Sequence, residues 1–509
     1  LNGDKNEICQ PVFTFQGFRY LKIEGINQIN LDDFQAVALY SDMEFTGQLT
    51  TSNDLINKLQ QNIQWGQRGN FLDVPTDCPQ RDERLGWTGD AQAFFKTAGF
   101  NMDVKNFFDK WLIDLTFDQR SDGAVPGVVP HNNYLDPNNS NKIEGSFGRT
   151  GWADAATIIP WNSYLIYGDK KTLERQYQSM KDWIDFMSNT SENNLFIKKD
   201  HWGDWLFFSR DDDNSGRSAV TSKKLIAQAF YCHSTQLLIN TAKVLNNQED
   251  IEKYSTLHQK IRDAFNAEFV SNNGMLMSDT QTAYVLALQF NLLSDEHTKI
   301  AINRLVNNIK DYGHLTTGFL GTPFLCHVLS DNGKHAEAIE LLLRTKYPSW
   351  LYPVTKGATT IWERWNGIKP DGSFQYPRMN SFNHYAYGAI GEWMYTNLMG
   401  LKINENFPGF KRYTIRPLFD KNFDNIEGSF ESNYGKIAIS WSRKKGNLKL
   451  SLNIPANTKA DLILDKATAG NWVLNDKKLN AKLIRDQVSE KSTKLVLGSG
   501  KYHFSFVEK

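Results

Sequence analysis

The stretch TSNDLINKLQQNI, from Thr51 to Ile63, is where the hydrophobic pattern of this 509-residue chain becomes helical. Leu55, Leu59 and Ile63 recur at every fourth position with Ile56 beside them, and this spacing places one apolar stripe along a helix. The Thr and Ser that open the stretch are residue types that often cap a helix N-terminus. The stretch therefore predicts the first element of a helical region.

Helical patterns continue from that point to about Leu401, separated by polar or Gly/Pro-containing connections. Further segments with this pattern lie near 90–99, 103–115, 152–167, 171–188, 220–246, 250–269, 278–290, 295–309, 322–330, 334–344 and 384–399. With the first segment they predict about twelve helices, and a closed double ring buries the apolar faces of that many helices without a sheet. We predict a helical domain over residues 46–402.

Short extended patterns precede the helical region at Phe13–Phe15, Phe18–Ile23 and Ala36–Tyr40. Three strands are too few for an independent sandwich. The chain also opens at Leu1, without an initiator methionine and directly in strand-like sequence. Residues 1–45 are therefore predicted to be the last strands of an N-terminal β-sandwich domain that begins upstream.

Alternation returns after the helical region. Ile437, Ile439 and Trp441 alternate with polar residues, and a run of alternating leucines follows the Lys444–Asn447 turn. This pattern predicts a β-hairpin within a C-terminal antiparallel β-sandwich of residues 403–509.

The composition argues against several functional classes. Lys plus Arg and Asp plus Glu both number 57, and no dense basic run occurs, so the electrostatic footprint of a nucleic-acid-binding protein is missing. No apolar stretch approaches the roughly 18 residues of a membrane span. The four cysteines show no CxxC spacing and no His/Cys cluster, so they predict neither a zinc site nor a disulfide framework. A neutral or mildly charged ligand fits this chain best.

The loop DVPTDCPQRDERLGWTGDAQ, from Asp73 to Gln92, gathers acids, arginines and a tryptophan just before a predicted helix. Its prolines keep the first half of the loop out of the helix. In one interpretation Asp82 and Glu83 pair with Arg81 and Arg84 on a solvated turn. In the other, the loop forms part of an active site, and the compact grouping of these residue types favours that interpretation.

The segment TTIWERWNG sets Glu363 between Trp362 and Trp365, where apolar rings suit a carboxyl group that transfers protons. The alternative is a glutamate paired with Arg364 while the tryptophans belong to the core, and the segment alone does not decide. His384, in SFNHYAYGAIGEWM, either binds a hydroxyl group or caps the next helix.

The segments HWGDWLFF, from His201, and GWADAATIIPW, from Gly151, place aromatic residues beside aspartates. This is the pattern of a sugar subsite, in which rings contact C–H faces and carboxylates bind hydroxyl groups. Core packing is an equal alternative for Trp161 and Trp205. Asp204, between a glycine and a tryptophan, is harder to explain by packing and is predicted to bind substrate.

Two carboxylates in aromatic surroundings, far apart in sequence and accompanied by further acids, are typical of a glycoside hydrolase. The chain contains no GxSxG elbow, P-loop, dinucleotide fingerprint or HExxH motif. We therefore predict an enzyme without a cofactor and without a catalytic metal, whose partner is a carbohydrate. The sequence leaves open a structural or sugar-bound calcium ion.

The motif DCPQRDERLGWTGD, from Asp77 to Asp90, closely resembles the signature of the bacterial α-L-rhamnosidases of glycoside hydrolase family 78. The resemblance extends over nearly the whole chain through FTFQGFRYLKIEG, GWADA, WGDWL, LTTGFLGTPF, TTIWERW, FNHYAYGAIGEWMY and GKIAISW. It implies an (α/α)6 barrel flanked by β-sandwich domains. It also implies an inverting exo-α-L-rhamnosidase, which removes terminal α-L-rhamnose from glycosides or from rhamnose-containing oligosaccharides or polysaccharides.

By motif position the resemblance assigns Glu83 as general acid and Glu363 as general base. Inversion requires room for a water molecule, so their carboxyl groups should lie about 6.5–9.5 Å apart. The other substrate-binding positions implied are Asp77, Arg81, Asp90 and His384 for the hydroxyl groups, with Trp87, Trp152, Trp202 and Trp205 as apolar wall around the methyl group.

Two alternatives to this function remain at the level of sequence. One is a barrel hydrolase or lyase that acts on another sugar, and a lyase would use a Tyr/His pair and would not require Glu363. The other is an inactive carbohydrate-binding relative, against which the presence of both Glu83 and Glu363 argues. The sequence does not determine the natural substrate, the aglycone, the linkage, the oligomeric state, or whether a bacterial cell exports the protein or keeps it in the cytoplasm.

Overall fold

The protein is described from a computed structural model that covers residues 7–18, 20–26, 28–131, 146–197, 200–209, 219–376, 380–465, 472–475, 477–478, 484–489 and 492–507. These residues form a mixed fold of helices and two large β-sheets. In this part of the chain no helix combines the length and the apolar character needed to cross a membrane.

Thirteen α-helices lie in the described residues: α1 Asp54–Asn70, α2 Thr88–Asn101, α3 Lys105–Asp118, α4 Ala155–Tyr167, α5 Lys170–Thr190, α6 Lys223–Leu245, α7 Gln248–Phe269, α8 Gln281–Gln289, α9 Asp295–Tyr312, α10 Thr322–Asp331, α11 His335–Leu343, α12 Leu351–Thr355 and α13 Ile390–Trp393. All twelve predicted helical segments are confirmed. The segment near 384–399 is divided into a 3-10 turn at Ala386–Ala389, α13 and a π-helical turn at Met394–Met399. The short helix α12 was not predicted.

Six of these helices contact one another in chain order, namely α2, α4, α6, α8, α10 and α13, and the last contacts the first. Most of these helices are buried on nearly all sides: in α2, 12 of 14 residues are buried, whereas α9 buries only 4 of 18. A helix that is apolar all round belongs to the interior, and a helix with a single apolar stripe covers it from outside. The helices α5, α7, α9 and α11 each pack against the inner helix that precedes them.

The first sheet has the strand order β1-β6-β7-β8-β14-β10-β11, with β1 Gly47–Thr51, β6 Asn425–Ser432, β7 Gly435–Lys444, β8 Asn447–Ile454, β10 Val473–Leu474, β11 Lys477–Lys478 and β14 Gly500–Val507. The second has the order β12-β13-β9-β5-β4, with β4 Leu401–Ile403, β5 Arg412–Ile415, β9 Lys459–Asp465, β12 Ile484–Ser489 and β13 Ser492–Leu497. Strands β2 Phe71–Leu72 and β3 Val74–Pro75 form a separate small pair.

The predicted hairpin is confirmed. Strands β7 and β8 are antiparallel, and Lys444 pairs with Asn447 across a two-residue turn. Both turn residues, Lys445 and Gly446, have positive φ angles, as a turn that matches the twist of a hairpin requires.

One strand of the first sheet lies within the segment predicted as the helical domain, residues 46–402. Strand β1, placed in the helical domain by the prediction, pairs along its whole length with β6 of the first sheet. A five-residue strand beside a helix start is too short to be separated from that helix by its sequence period.

The N-terminal strands are a second difference. The described residues from 7 to 40 contain a 3-10 turn, Leu31–Asp33, and no β-strand, while Arg19 in the second predicted strand lies outside the described residues. A β-strand is stabilised by backbone hydrogen bonds to a neighbouring strand. The described residues of this segment pair with no strand, so the extended sequence forms no sheet here. Many of its large apolar side chains are exposed, including those of Phe13 and Tyr20.

Candidate active site

A cavity of about 230 Å³ opens at the N-terminal ends of the inner helices. Its lining combines acids, one histidine and aromatic rings: Asp77, Glu83, Trp87, Asp90, Trp152, Trp202, Trp205, Phe319, Glu363 and His384. The cavity is smaller than the roughly 300–1,000 Å³ of sites that hold drug-sized ligands, which favours a ligand of about one sugar ring. Nine of the eleven residues predicted from sequence line it, and Arg81 and Asp204 do not.

The loop before α2 is folded back on itself by a contact between Asp77 and Leu85. The Asp77 N–H donates to the Leu85 carbonyl at 2.9 Å, and the Leu85 N–H donates to Asp77 Oδ1 at 3.0 Å. This closure brings Asp77 and Glu83 to one side of the cavity, while Asp90 lies in the first turn of α2. The loop therefore lines the cavity and is not a solvated turn.

Glu83 is positioned by three side chains. Trp87 Nε1 donates to its Oε1 at 3.1 Å, and Arg81 forms a close ion pair with its Oε2. The Cys78 thiol donates to the same Oε2 at 3.9 Å. Trp87 thus serves both as a cavity wall and as a hydrogen-bond donor to the carboxylate.

Glu363 is almost fully buried and lies in the segment between α12 and α13. Its Oε2 accepts a hydrogen bond from the Ser381 N–H at 2.7 Å and pairs with Arg81 Nη1 at 3.3 Å. The segment that holds it is fixed to the following segment by backbone hydrogen bonds between Ile361 and His384 and between Glu363 and Ser381. The sequence alternative of a helix-end glutamate paired with Arg364 is replaced by a buried carboxylate paired with Arg81.

Arg81 bridges the two carboxylates, since one guanidinium nitrogen contacts Glu83 and the other contacts Glu363. Asp77 Oδ2 lies 4.0 Å from the same guanidinium. A guanidinium fork of this kind holds two carboxylates in fixed relative positions. Arg81 therefore fixes the positions of the acidic side chains, although it does not itself line the cavity.

Burial shifts the titration of three groups in this site. Burial and the neighbouring Glu83 raise the pKa of Asp77 to about 7, and burial raises the pKa of Asp90 well above its usual range. Burial and the nearby Arg81 lower the pKa of His384 to about 3, which keeps its ring neutral near pH 7. The site therefore offers both hydrogen-bond donors and acceptors to a neutral ligand.

Two polar atoms of this site have no hydrogen-bond partner: Asp90 Oδ1 and His384 Nδ1. Both residues are buried and line the cavity. Buried polar groups in folded proteins are nearly always hydrogen-bonded, so these two atoms are suited to bonds with a ligand or with water in the cavity.

Aromatic rings form the other side of the cavity. Trp202 contacts Trp87 and Trp152 edge to face, with ring centroids 5.4 and 4.8 Å apart. Gly89 in α2 lets Trp152 pack directly on that helix, because a Cβ atom there would overlap the indole ring. This wall suits an apolar part of a ligand.

Asp204 does not bind at the cavity, which corrects the prediction made from its place between a glycine and a tryptophan. Its Oδ1 accepts the N–H groups of Leu320 and Gly321 at 2.8 and 3.1 Å, and its Oδ2 accepts that of Gly318 at 2.8 Å. The Thr282 hydroxyl donates to Oδ2 as well. Both oxygens are used by the protein itself, since a carboxylate before a helix N-terminus satisfies the free backbone donors there.

Phe319, which sequence reasoning missed, is presented to the cavity by this arrangement. Its N–H donates to the Trp205 carbonyl at 2.9 Å, and its ring packs edge to face on Tyr387. Gly318 makes the close approach possible, because a Cβ atom there would overlap the backbone of Trp205. Asp204 thus fixes two wall residues, Trp205 and Phe319. The glycine before Phe319 was the only available signal in the sequence.

Asp154 is a second anchor that the sequence did not reveal. Its carboxylate accepts hydrogen bonds from the Gly151 N–H, the Trp183 indole and the Ser234 hydroxyl at 2.7, 3.1 and 2.6 Å. The turn that carries Trp152 is held by these bonds. Trp161, for which core and ligand contact had equal weight, is buried in the core and does not line the cavity.

Among the described residues, one group of three side chains has donor atoms close enough to share a metal ion: Asp77, Cys78 and His384. All three side chains are buried.

Three family models match consecutive parts of the chain. Residues 44–398 match the family model for the bacterial α-L-rhamnosidase six-hairpin glycosidase domain. Residues 400–478 match the model for the C-terminal domain of bacterial α-L-rhamnosidases, and residues 1–40 match the model for their concanavalin-like domain.

The chain is 41% identical over 465 residues to an α-L-rhamnosidase of Streptomyces avermitilis, covering 91% of this chain and 43% of that protein. It is 38% identical over 503 residues to an α-L-rhamnosidase of Formosa agariphila, covering 97% of this chain and 52% of that protein. The crystal structure of the Streptomyces avermitilis α-L-rhamnosidase complexed with L-rhamnose superposes with a TM-score of 0.83 at 38% identity, covering 92% of this chain and 42% of that one. This chain thus spans about half the length of the curated relatives that it matches.

Proposed function

The chain belongs to the bacterial α-L-rhamnosidase family, and from this premise we propose that it hydrolyses terminal α-L-rhamnose from a glycoside or a rhamnose-containing saccharide. The observation that carries the proposal is the pair of carboxylates, Glu83 and Glu363, that line one sugar-sized cavity with an aromatic wall. The named relatives, and the rhamnose complex of one of them, support the choice of sugar.

For the mechanism we propose inversion. Glu83 protonates the leaving glycosidic oxygen, and Glu363 removes a proton from the water that attacks the anomeric carbon on the opposite face. The Arg81 guanidinium contacts both carboxylates and so keeps the proposed acid and base in fixed relative positions. The water oxygen becomes the new hydroxyl group on the anomeric carbon and its proton passes to Glu363. Exchange with solvent then removes that proton from Glu363 and returns one to Glu83.

For substrate binding we propose that Asp77, Asp90 and His384 hold the sugar hydroxyl groups. The unpartnered Asp90 Oδ1 and His384 Nδ1 support this role. The tryptophan wall with Trp87, Trp152 and Trp202 is proposed to contact the methyl group, which has no hydrogen-bonding capacity. Arg81 is proposed to position the carboxylates and to reach the sugar only if it leaves one of them.

For the architecture we propose that the helical region is an (α/α)6 barrel between two β-sandwich domains, with domain limits near 45 and 402. The sequential contacts of six inner helices, the last with the first, support closure. The proposed reaction needs no cofactor, since both proton-transfer groups are carboxyl side chains.

A panel of aryl glycosides tests the function. We expect release of the aryl group from an α-L-rhamnopyranoside and from none of the matched α-L-fucoside, α-L-arabinofuranoside or β-D-glucuronide. Turnover of another sugar alone would identify a barrel enzyme of different specificity. A folded protein that binds L-rhamnose without any turnover would be an inactive relative.

Proton NMR of the first-formed product tests the stereochemistry. Inversion of an α-L-rhamnoside releases β-L-rhamnose first, before mutarotation produces the α anomer. Early accumulation of the α anomer would show retention and would contradict the proposed role of Glu363 as general base.

A further inference from the structure

Cys78 transfers no proton in the proposed hydrolysis, although its thiol contacts the proposed general acid, Glu83. Its thiol is completely buried, next to Asp77 and close to Glu83. In the fold it meets His384, which is distant in sequence. A carboxylate oxygen of Asp77, Cys78 Sγ and a ring nitrogen of His384 all lie within 4.8 Å of one another.

We propose that these three side chains form a site for a zinc-like divalent cation, and that an ion bound there blocks the sugar-binding cavity. The three donors differ in kind, one oxygen, one sulfur and one nitrogen, and this mixed set is what Zn²⁺ accepts. Mg²⁺ and Ca²⁺ require shells of oxygen ligands, which this group does not offer.

The geometry fits tetrahedral coordination after small movements. Zn²⁺ binds sulfur at about 2.3 Å and nitrogen or oxygen at about 2.0–2.2 Å. His384 Nε2 lies 3.5 Å from Asp77 Oδ2, which is the separation expected of two ligands on one ion. The sulfur needs the larger movement.

The surroundings favour a cation at this position. Glu83 Oε2 lies 3.9 Å from Cys78 Sγ, and Glu363 Oε1 lies 3.8 Å from His384 Nε2. Either carboxylate can complete the coordination or leave the fourth position to water. Within the described part of the site, Arg81 supplies the positive charge that faces these acids. Its guanidinium already contacts both glutamates, so Asp77 has the weaker claim on this charge.

The buried His384 ring directs its Nε2 at this group, 3.5 Å from Asp77 Oδ2 and 3.8 Å from Glu363 Oε1. No hydrogen bond from the described residues holds its other nitrogen, Nδ1, so the ring can turn to bring Nε2 onto an ion. Asp77 and His384 also line the cavity, whereas Cys78 lies behind them. An ion held by all three would sit at the floor of the cavity and occupy side chains that the sugar requires.

Metal binding itself tests the proposal without any activity measurement. We expect equilibrium dialysis to give one Zn²⁺ per chain, and Co²⁺ to produce a thiolate-to-cobalt charge-transfer band in the near ultraviolet. Cys78→Ser should abolish the band and weaken Zn²⁺ binding about tenfold or more, because loss of one ligand of this kind removes at least about 1.4 kcal/mol of binding free energy. Cys326→Ser, which removes another buried free thiol, is the matched control and should keep both signals.

The blocking effect rests on the proposed function and has its own experiment. Zn²⁺ should inhibit rhamnoside hydrolysis competitively, with reversal by a chelator and no inhibition by Mg²⁺. L-rhamnose should reduce the cobalt band of the wild-type protein.

The outcomes are separable. Zinc binding that is unchanged in Cys78→Ser, or a cobalt complex without the charge-transfer band, would overturn the metal site whether or not the protein is a rhamnosidase. If Cys78→Ser does not fold, the band and its displacement by L-rhamnose in the wild type still decide. A band that L-rhamnose leaves unchanged, in a protein that hydrolyses rhamnosides, would overturn the blocking effect.

Discussion

Asp90 and Asp204 are both buried aspartates close to tryptophans, but they differ in the hydrogen bonds that their carboxyl groups make. Asp90 lines the cavity, and its Oδ1 has no partner. Asp204 lies behind the wall, and its oxygens accept three backbone N–H groups and one hydroxyl. Burial raises the pKa of both, but hydrogen bonds oppose the shift at Asp204.

This difference teaches that the donors around a buried carboxylate, and not its burial or its aromatic neighbours, separate a ligand-binding acid from a structural one. A carboxylate supplied with protein donors stabilises the loop that supplies them. A buried carboxylate without donors lowers the free energy of unfolding of the protein until a ligand provides the missing hydrogen bond. Substitutions at the two glutamates, at Asp204, at Asp90 and at Asp77 test this distinction.

The largest effect is expected at the two glutamates that face the cavity. Glu83→Gln and Glu363→Gln should each lower kcat by about 10²–10⁴-fold on an aryl α-L-rhamnoside, because proton transfer is lost while the shape is kept. Thermal unfolding should show the same fold. Asp82→Asn, on the exposed side of the same loop, is the control and should retain activity. Activity that survives either glutamine substitution would remove that residue from the mechanism.

The next effect is on stability. Asp204→Asn should lower the free energy of unfolding by about 2–5 kcal/mol, since an amide nitrogen would face backbone N–H groups that now donate to a carboxylate oxygen. Denaturant titration measures this value, and Asp200→Asn, a nearby exposed carboxylate, should change it little. A marginal change at Asp204 would show that the loop before α10 does not depend on its carboxylate.

A smaller effect is expected at Asp90. Asp90→Asn should reduce kcat/KM by about 10- to 100-fold through loss of a hydrogen bond to the sugar, while the free energy of unfolding stays near that of the wild type. Steady-state kinetics and denaturant titration are measured on the same preparation. If Asp90→Asn destabilises the protein as much as Asp204→Asn, the distinction between the two aspartates fails.

The last effect depends on pH and is a change in the slope of stability with pH at Asp77. Its pKa is about 7 in the folded protein against an ordinary value of 3.8, so the folded state holds the extra proton between these values. Stability from this group is therefore full below pH 3.8 and is lost as the pH rises towards 7, by at most about 1.4 kcal/mol per pH unit. Asp77→Asn removes the titration and should gain stability relative to the wild type over that window. Asp73→Asn, an exposed acid on the same loop, should follow the wild type, and parallel curves for all three proteins would contradict the raised pKa.

Much of the fold was predictable because the signals are local. The apolar spacing around Leu59 and Ile63 identifies α1, and the same reasoning located eleven more helical segments. The hairpin of β7 and β8 follows from alternation and a turn with positive φ angles. Strand β1 was missed because its partner, β6, lies far away in the sequence, and the N-terminal strands were predicted although the described residues supply no partner for them.

The candidate site was predictable where one motif carries several chemical groups. The loop from Asp77 to Asp90 brings acids, an arginine and a tryptophan together through short-range contacts, such as the bond between Asp77 and Leu85. The pairing of Arg81 with Glu363 was not predictable in this way, since it joins residues 282 positions apart. Phe319 was missed and Asp204 was misassigned for the same reason, because each role depends on which backbone groups lie opposite.

The sequence by itself determined the helices, the C-terminal hairpin, the acidic loop and, through its motifs, the family resemblance. Each of these depends on spacing within a segment, and spacing is a property of the chain. Only the tertiary structure decided which buried carboxylates face the cavity, that one guanidinium joins Glu83 to Glu363, and that Cys78 lies beside His384. Those relations depend on distances between segments that are remote in sequence, and such distances exist only after the inner helices have packed together.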